Sequence, residues 1–269
     1  MLAFVVPAQN ESKTISQVIN NLLSFNPDLI VIVVNGCLDS TLSEVQKLKY
    51  SQIHILYFEE GLGIDVPRAI GASYAFSLKA SRVIFVDGDM AGPILDQIAL
   101  LDKCLTTNCD MALVNCYPYI TCRHPLTNRV LEFRGLLNRA LGMYSDLGLA
   151  NPSHGPHGIS RQLFLEIATR ELAIPPVSLT LSVLKGLNVK VAAAIPHSIL
   201  GSDIRGPIHS EAIAETIIGD CIEGLNIINN VFRSRFWEGT NYVGYNSSRR
   251  FDLLNFFLKH PNELTVYKS

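Results

Sequence analysis

The chain has no uninterrupted apolar run near the roughly 18 residues that a membrane-spanning helix needs. Its most apolar late stretch, 187–200, is broken by Asn188, Lys190 and Pro196. The amino terminus lacks a basic segment and turns polar at Gln9-Asn10-Glu11, so it does not read as a signal peptide. A cytoplasmic protein is expected, with contact at a membrane surface left open. An excess of one charge sign is also missing: 22 Lys and Arg stand against 24 Asp and Glu, a net of −2. Nucleic-acid binders carry a strongly basic face, so no nucleic-acid partner is expected. None of the six cysteines forms a C-x-x-C pair; four fall at 104–122 (Cys104, Cys109, Cys116, Cys122), and scattered reduced thiols are the simplest reading. The G-x-G-x-x-G of nicotinamide enzymes is absent after the first apolar segment. So is the Gly- and Arg-rich signature with a lysine that marks sugar-1-phosphate nucleotidyltransferases.

What is present is a rhythm. With 48% hydrophobic residues the chain can bury a substantial core. Apolar segments at Leu2–Val6, Leu29–Val34, Ile53–Phe58, 83–86 and Met111–Val114 alternate with amphipathic stretches. The intervening helices carry Ile15, Val18, Ile19, Leu22 and Leu23; Leu42, Val45 and Leu48; a segment from Pro67 to about Lys79; and Ile94, Ile98, Leu101 and Leu105. Such a βαβαβαβαβ run predicts an α/β fold, a mostly parallel sheet flanked by helices. After residue 115 the pattern becomes mainly helical: 127–143, 161–170, 178–186, and a long helix through Ile213, Cys221 and Ile228, with one strand at 189–195. Turn formers and histidines fill Gly148–Gly158, which reads as a loop folded over a site. The organisation expected is 1–115 for a first ligand-binding half, 116–232 for a completing half, and 233–269 for an aromatic and basic tail. That tail packs on the body or pairs subunits as a homodimer.

The strongest chemical signal is Val83-Ile-Phe-Val-Asp-Gly-Asp-Met90. A wholly apolar strand ends in Asp87 and Asp89, placing two carboxylates at the carboxyl edge of a parallel sheet, where such folds bind ligands. Neighbouring carboxylates repel unless a cation lies close. Magnesium or manganese suits such hard oxygen ligands and bridges them to phosphates. Three further polar loops follow earlier strands along the same edge. They are Pro7-Ala8-Gln9-Asn10-Glu11, Asn35-Gly36-Cys37-Leu38-Asp39-Ser40-Thr41, and Glu60-Gly61-Leu62-Gly63 running on to Arg68 and Gly71.

In this order and spacing the loops resemble the family 2 glycosyltransferases, nucleotide-diphospho-sugar transferases of GT-A fold, over about residues 3–115. The resemblance implies a GT-A, Rossmann-like domain with a mainly helical carboxyl-terminal acceptor region. It also implies a UDP- or GDP-sugar donor, Mg2+ or Mn2+ as cofactor, and transfer of the sugar to an acceptor that the sequence does not identify. By the same resemblance Pro7, Ala8 and Glu11 border the nucleoside, and Asn35 stands where the family more often has an aspartate reading the base. Gly61, Gly63 and Arg68 underlie the diphosphate, while Asp87, Gly88 and Asp89 form the metal motif, with Asp89 the direct ligand.

One expected feature is missing. Inverting members carry a carboxylate base at the start of the helix before the last strand, and Ile174–Leu181 has none. His154 or His157 could act as base instead. A retaining reaction needs no such carboxylate, and the region around Asp203–Ile213 resembles the retaining glucosyl-3-phosphoglycerate synthases. These complete the metal shell with a histidine just before the long helix. His197, His209 and Asp203 are the matching candidates here, and the sequence does not choose among them. The other reading of the missing base is a protein of this fold that binds nucleotide sugars without turnover.

Overall fold

In the computed structural model, residues 1–119, 123–202 and 206–260 are described, together with the backbone of 266–268. Asp203 and Cys122 lie outside the described residues. The five predicted strands form as β1 (Leu2–Ala8), β2 (Leu29–Asn35), β3 (Ile53–Phe58), β4 (Arg82–Phe85) and β5 (Met111–Asn115). Connecting helices are α1 (Ile15–Leu23), α2 (Thr41–Gln46), α3 (Val66–Ser77) and α4 (Leu95–Thr106). The later chain adds α5 (Pro125–Ala140), α6 (Tyr144–Leu147), β6 (His157–Ser160), α7 (Arg161–Glu166), α8 (Pro175–Leu184), β7 (Val189–Ala194) and α9 (Pro207–Ile228). A two-residue hairpin, β8 (Phe236–Trp237) with β9 (Thr240–Asn241), precedes α10 (Phe251–Lys259) and the edge strand β10 (Val266–Lys268).

Among the described residues the main sheet has eight strands in the order β10-β3-β2-β1-β4-β6-β5-β7. Strands β3, β2, β1 and β4 run parallel; β6 and β10 are reversed. Residues alternate across the sheet. Ala3, Val5, Val31 and Val33 pack toward Ala69, Ile70, Ala72 and Phe76 of α3. Phe4, Val6, Ile30 and Ile32 pack toward Ile15, Ile19 and Leu22 of α1 and Ile98 and Leu101 of α4. Burial on both faces is what an unbroken apolar run requires. A third cluster joins Val130, Phe133 and Leu137 of α5 to Ile218, Cys221 and Ile222 of α9.

Two expectations need correction. His157 and Gly158 belong to no gate loop: they lie in β6, antiparallel between β4 and β5. Gly158 permits this, since a Cβ there would stand 3.2 Å from both the Ile84 side chain and the Val83 carbonyl. The helices after it are also displaced. α7 ends at Glu166 because a short 3-10 turn, Thr169–Ala173, intervenes, and α8 begins on the proline pair Pro175-Pro176, pre-set for a first helical turn.

Gly158→Val is expected to cost about 1–3 kcal/mol by overpacking, read as a lowered urea midpoint. An unchanged midpoint would remove β6 from the sheet interior.

Candidate active site

The four polar loops converge at the carboxyl ends of β1, β2, β3 and β4, and backbone bonds hold them together. Gly88 donates its N–H to the Pro7 carbonyl at 3.0 Å, and the Thr14 hydroxyl donates to the Gly88 carbonyl at 2.8 Å. A Cβ on Gly88 would meet Pro7, Ile15 and Glu11 at 3.1–3.3 Å, so glycine lets the acidic turn lie against the first loop. Gly36 makes the same allowance between the second and third loops: a Cβ there would stand 2.6 Å from Gly61. The Asp39–Thr41 turn braces the first loop. Thr41 Oγ1 accepts from the Glu11 N–H at 2.8 Å, and Asp39 accepts from the Ser12 N–H at 3.1 Å. Burial works against the Asp39 carboxylate, yet bonds from Thr41 and Ser12 hold it down to about 2.

Asn35 has a part inside the fold. It is 2% exposed and spends its amide inside the protein, donating to the Ala8 carbonyl at 3.2 Å and accepting from the Leu62 N–H at 3.0 Å. An amide has both donors and an acceptor, so it can tie β1 to the glycine loop where a carboxylate could not. Exposed at the loop tip is Leu38, 96% accessible, a residue that sequence reasoning had no reason to single out.

Arg68 is the electrostatic centre. One nitrogen reaches both Asp87 oxygens, at 2.6 and 2.7 Å, and another binds Asp65. Asp87 is thereby committed to an arginine rather than presented whole to a cation or phosphate. Burial disfavours the Arg68 charge, but Asp87, Asp65 and Asp89 together raise its affinity for the proton. Asp89 is thus close enough for its charge to act on Arg68. Segment 196–201 docks on the same turn, with the Gly92 N–H donating to the Leu200 carbonyl at 3.0 Å.

That docking gathers a second group. His154 Nε2 lies 2.8 Å from His197 Nδ1, and both rings stack on Tyr117 at centroid distances of 5.5 and 6.1 Å. Arg123 and Arg134 stand over the same Tyr117 ring at 5.4 and 5.9 Å. Arg134 is 2% exposed and donates to Ser153 Oγ at 2.9 Å, but among the described residues no carboxylate pairs with it and its Nε has no partner. Burial accordingly lowers its pKa. Burial and the Arg134 charge lower His154 and His197, keeping both imidazoles neutral near neutrality. Sequence reasoning did not find Tyr117 or Arg134; nothing in the pattern of α5 sets Arg134 apart from Arg129 and Arg139.

Other candidates sit elsewhere. His209, in the first turn of α9, lies 2.9 Å from the Tyr245 hydroxyl. His157 stacks on Phe85 at 4.7 Å inside the sheet, where burial, then the Arg68 charge, pushes it down to about 3. A base so buried and so weak does not serve an incoming hydroxyl. Glu171, the nearest acid to the carboxylate-free start of α8, is held by Arg233 at 3.0 Å. Among the described residues no three metal-type donors converge. The donor type nonetheless fits Mg2+ or Mn2+, which take one or two carboxylates and complete their shells with water and substrate phosphate.

A family model, glycosyl transferase family 2, matches residues 3–167. An uncharacterised protein of Methanocaldococcus jannaschii is 30% identical over 129 residues, 46% of this chain and 56% of that protein. The chain therefore spans little more than half the length of this curated relative. Among solved structures, glucosyl-3-phosphoglycerate synthase from Mycobacterium tuberculosis with Mn2+, UDP-glucose and phosphoglyceric acid superposes with a TM-score of 0.61. The two are 18% identical, and the match covers 86% of this chain and 80% of that one. The same enzyme with Mn2+, UDP and glucosyl-3-phosphoglycerate gives 0.60 at 17% identity, covering 86% and 81%. At such identities the likeness establishes the fold.

His157 gives a pH signature. Its folded pKa lies below the ordinary 6.5, so the stability it contributes is full above pH 6.5 and is lost as pH falls toward 3. Unfolding free energy should drop by about 1.4 kcal/mol per pH unit for this one proton. In urea titrations between about pH 6 and 4, His157→Leu should show a slope shallower by that amount, with no difference in slope from pH 8 to 7.

Proposed function

The chain belongs to glycosyl transferase family 2, and from that premise we propose that it moves a sugar from a nucleoside-diphosphate donor, UDP-linked in the first instance, to an acceptor bearing an acid group. The observation that carries the reading is the Asp87-Gly88-Asp89 turn, set beside the Arg68 fork where the four loops meet. Asp89 would hold the divalent cation, with Asp87, anchored by Arg68, setting the turn. The cation would supply Lewis-acid stabilisation of the negative charge that grows on the leaving diphosphate. Pro7, Ala8 and Glu11 line the nucleoside side and Gly61 lies beneath the diphosphate, while Gly63 and Gly88 let residues 248–249 and the first loop pack closely behind it. Manganese and UDP appear together in the synthase structures, which supports the same pairing here.

The acceptor side is the Tyr117 cluster. A buried guanidinium without a carboxylate is costly unless an anion joins it. Arg134 meets that description, and the neutral His154 and His197 beside it can hydrogen-bond an acceptor hydroxyl. The synthases' phosphoglyceric acid is an anion of the matching type. The anomeric outcome then turns on whether a base is used at all. No acid stands at the start of α8, which is the feature favouring the second reading, a binding protein that holds a nucleotide sugar without transferring it.

Calorimetry with UDP and GDP, each with Mn2+, tests the donor side. Cation-dependent binding should be present in the wild type and absent in Asp89→Ala; undiminished binding by that variant overturns the assignment. Slow Mn2+-dependent release of sugar from a donor separates the enzyme from the binder, because the binder releases none. On the acceptor side, Arg134→Met should weaken phosphoglyceric acid binding by about tenfold or more, followed by NMR line broadening, with UDP affinity retained.

A further inference from the structure

The donor seat is built from the first half of the chain, yet its third loop is held from the far end. Arg250 donates its N–H to the Leu62 carbonyl at 2.9 Å. A Cβ on Gly63 would run into the carbonyl of Ser248, so the backbone of 248–250 lies directly on the Gly61–Gly63 loop. Beneath that contact, Arg249 is fully buried, with no side-chain exposure. Its guanidinium reaches Asp65 at 3.2 Å and both oxygens of Asp220 at 2.7 Å.

Asp65 is the link. It precedes α3 with φ of +62°, a left-handed conformation that a non-glycine residue keeps only when its surroundings enforce it. Burial pushes its pKa up; Arg68 and Arg249 oppose that. Its carboxylate is shared: Oδ1 faces Arg68 and Oδ2 faces Arg249. Arg68 in turn grips Asp87. Charges therefore alternate from the acidic turn inward as Asp87, Arg68, Asp65, Arg249, Asp220, Arg235, Glu223, Arg233 and Glu171.

We infer that Arg249 is a positioning residue of the donor site, acting through Asp65 to keep the Arg68 fork on Asp87. The inference rests on the donor reading above. Without the Arg249 cation, the buried Asp65 carboxylate has Arg68 as its remaining counter-ion. The Arg68 fork is then drawn toward Asp65 and away from Asp87. Asp87 regains an uncompensated charge beside Asp89 and the incoming diphosphate, and repulsion there weakens donor binding. The segment 244–259, read from sequence as a packing tail, is on this account part of the nucleotide-sugar seat.

The test compares UDP–Mn2+ affinity by calorimetry in the wild type, Arg249→Met, Asp65→Asn, the double variant and Arg235→Met. Arg249→Met should raise Kd by about tenfold, and the double variant should bind more tightly than Arg249→Met, since without the Asp65 charge nothing draws Arg68 off Asp87. Arg235→Met breaks the same charge chain farther from the seat; it should lower the melting temperature while Kd stays within about twofold. Equal weakening by Arg235→Met, additive losses in the double variant, or wild-type affinity in Arg249→Met each overturns the inference. Should Arg249→Met fail to fold, Arg249→Lys decides: one ammonium cannot hold both acids, so affinity should fall part of the way, and undiminished affinity counts against the role. A wild type indifferent to UDP and GDP alike overturns the donor reading and this inference together. A wild type that binds, with indifferent Arg249 variants, overturns the inference alone.

Discussion

One guanidinium decides how the acidic rim of this sheet can exist. Strand β4 delivers Asp87 and Asp89 two residues apart at the mouth of a buried sheet, an arrangement that repels itself. Arg68 resolves this by holding both oxygens of Asp87 while Asp65 holds Arg68 from behind. The turn then presents a net negative charge smaller than its two carboxylates imply. That is the balance the proposed function calls for: a divalent cation arriving with a diphosphate would be neither expelled nor saturated. The same positive charge, felt at His154 and His157, helps keep the nearby imidazoles neutral.

The site therefore divides into two electrostatic zones. On the donor side every buried cation is matched by carboxylates: Arg68 by Asp65 and Asp87, Arg249 by Asp65 and Asp220. On the other side Arg134 lies buried without one among the described residues, stacked with two neutral histidines on Tyr117. A matched zone suits a ligand that brings its own cation. An unmatched guanidinium suits a ligand that arrives as a bare anion.

Much of this was legible in the residues. Strands β1 to β5 announce themselves because burial on both faces demands unbroken apolar runs, and the loops after them carry the polar residues of the rim. β6 was hidden: His157-Gly-Ile-Ser160 is four residues long, sits among turn formers, and gains its strand character from antiparallel partners 48 and 76 positions away, as Ile159 does from Met111 and Val83. The structural part of Asn35 was hidden for a related reason. Its position matched a base-reading site, but only the fold brings Ala8 and Leu62 within reach of its amide. The Arg249–Asp65 pair spans 184 residues, and no local pattern encodes such a distance.

Why such a chain of ion pairs should lie where an apolar contact could hold the loop more cheaply follows from what each can specify. Burying charges costs desolvation that their pairing does not reliably recover, so stability alone does not favour them. Apolar packing tolerates sliding; a forked guanidinium between two carboxylates does not, because its donors are fixed in direction. The Gly61–Gly63 loop has one side chain to interlock, the buried Leu62, and Asp65 is bent into a left-handed conformation two residues after it. Direction therefore has to be imposed from outside, by groups whose misplacement strands a buried charge. Loss of Arg249 leaves each of its buried acids with a single remaining cation, Asp65 with Arg68 and Asp220 with Arg235. That imbalance penalises sliding of the loop, the constraint that holding a diphosphate in one place would call for.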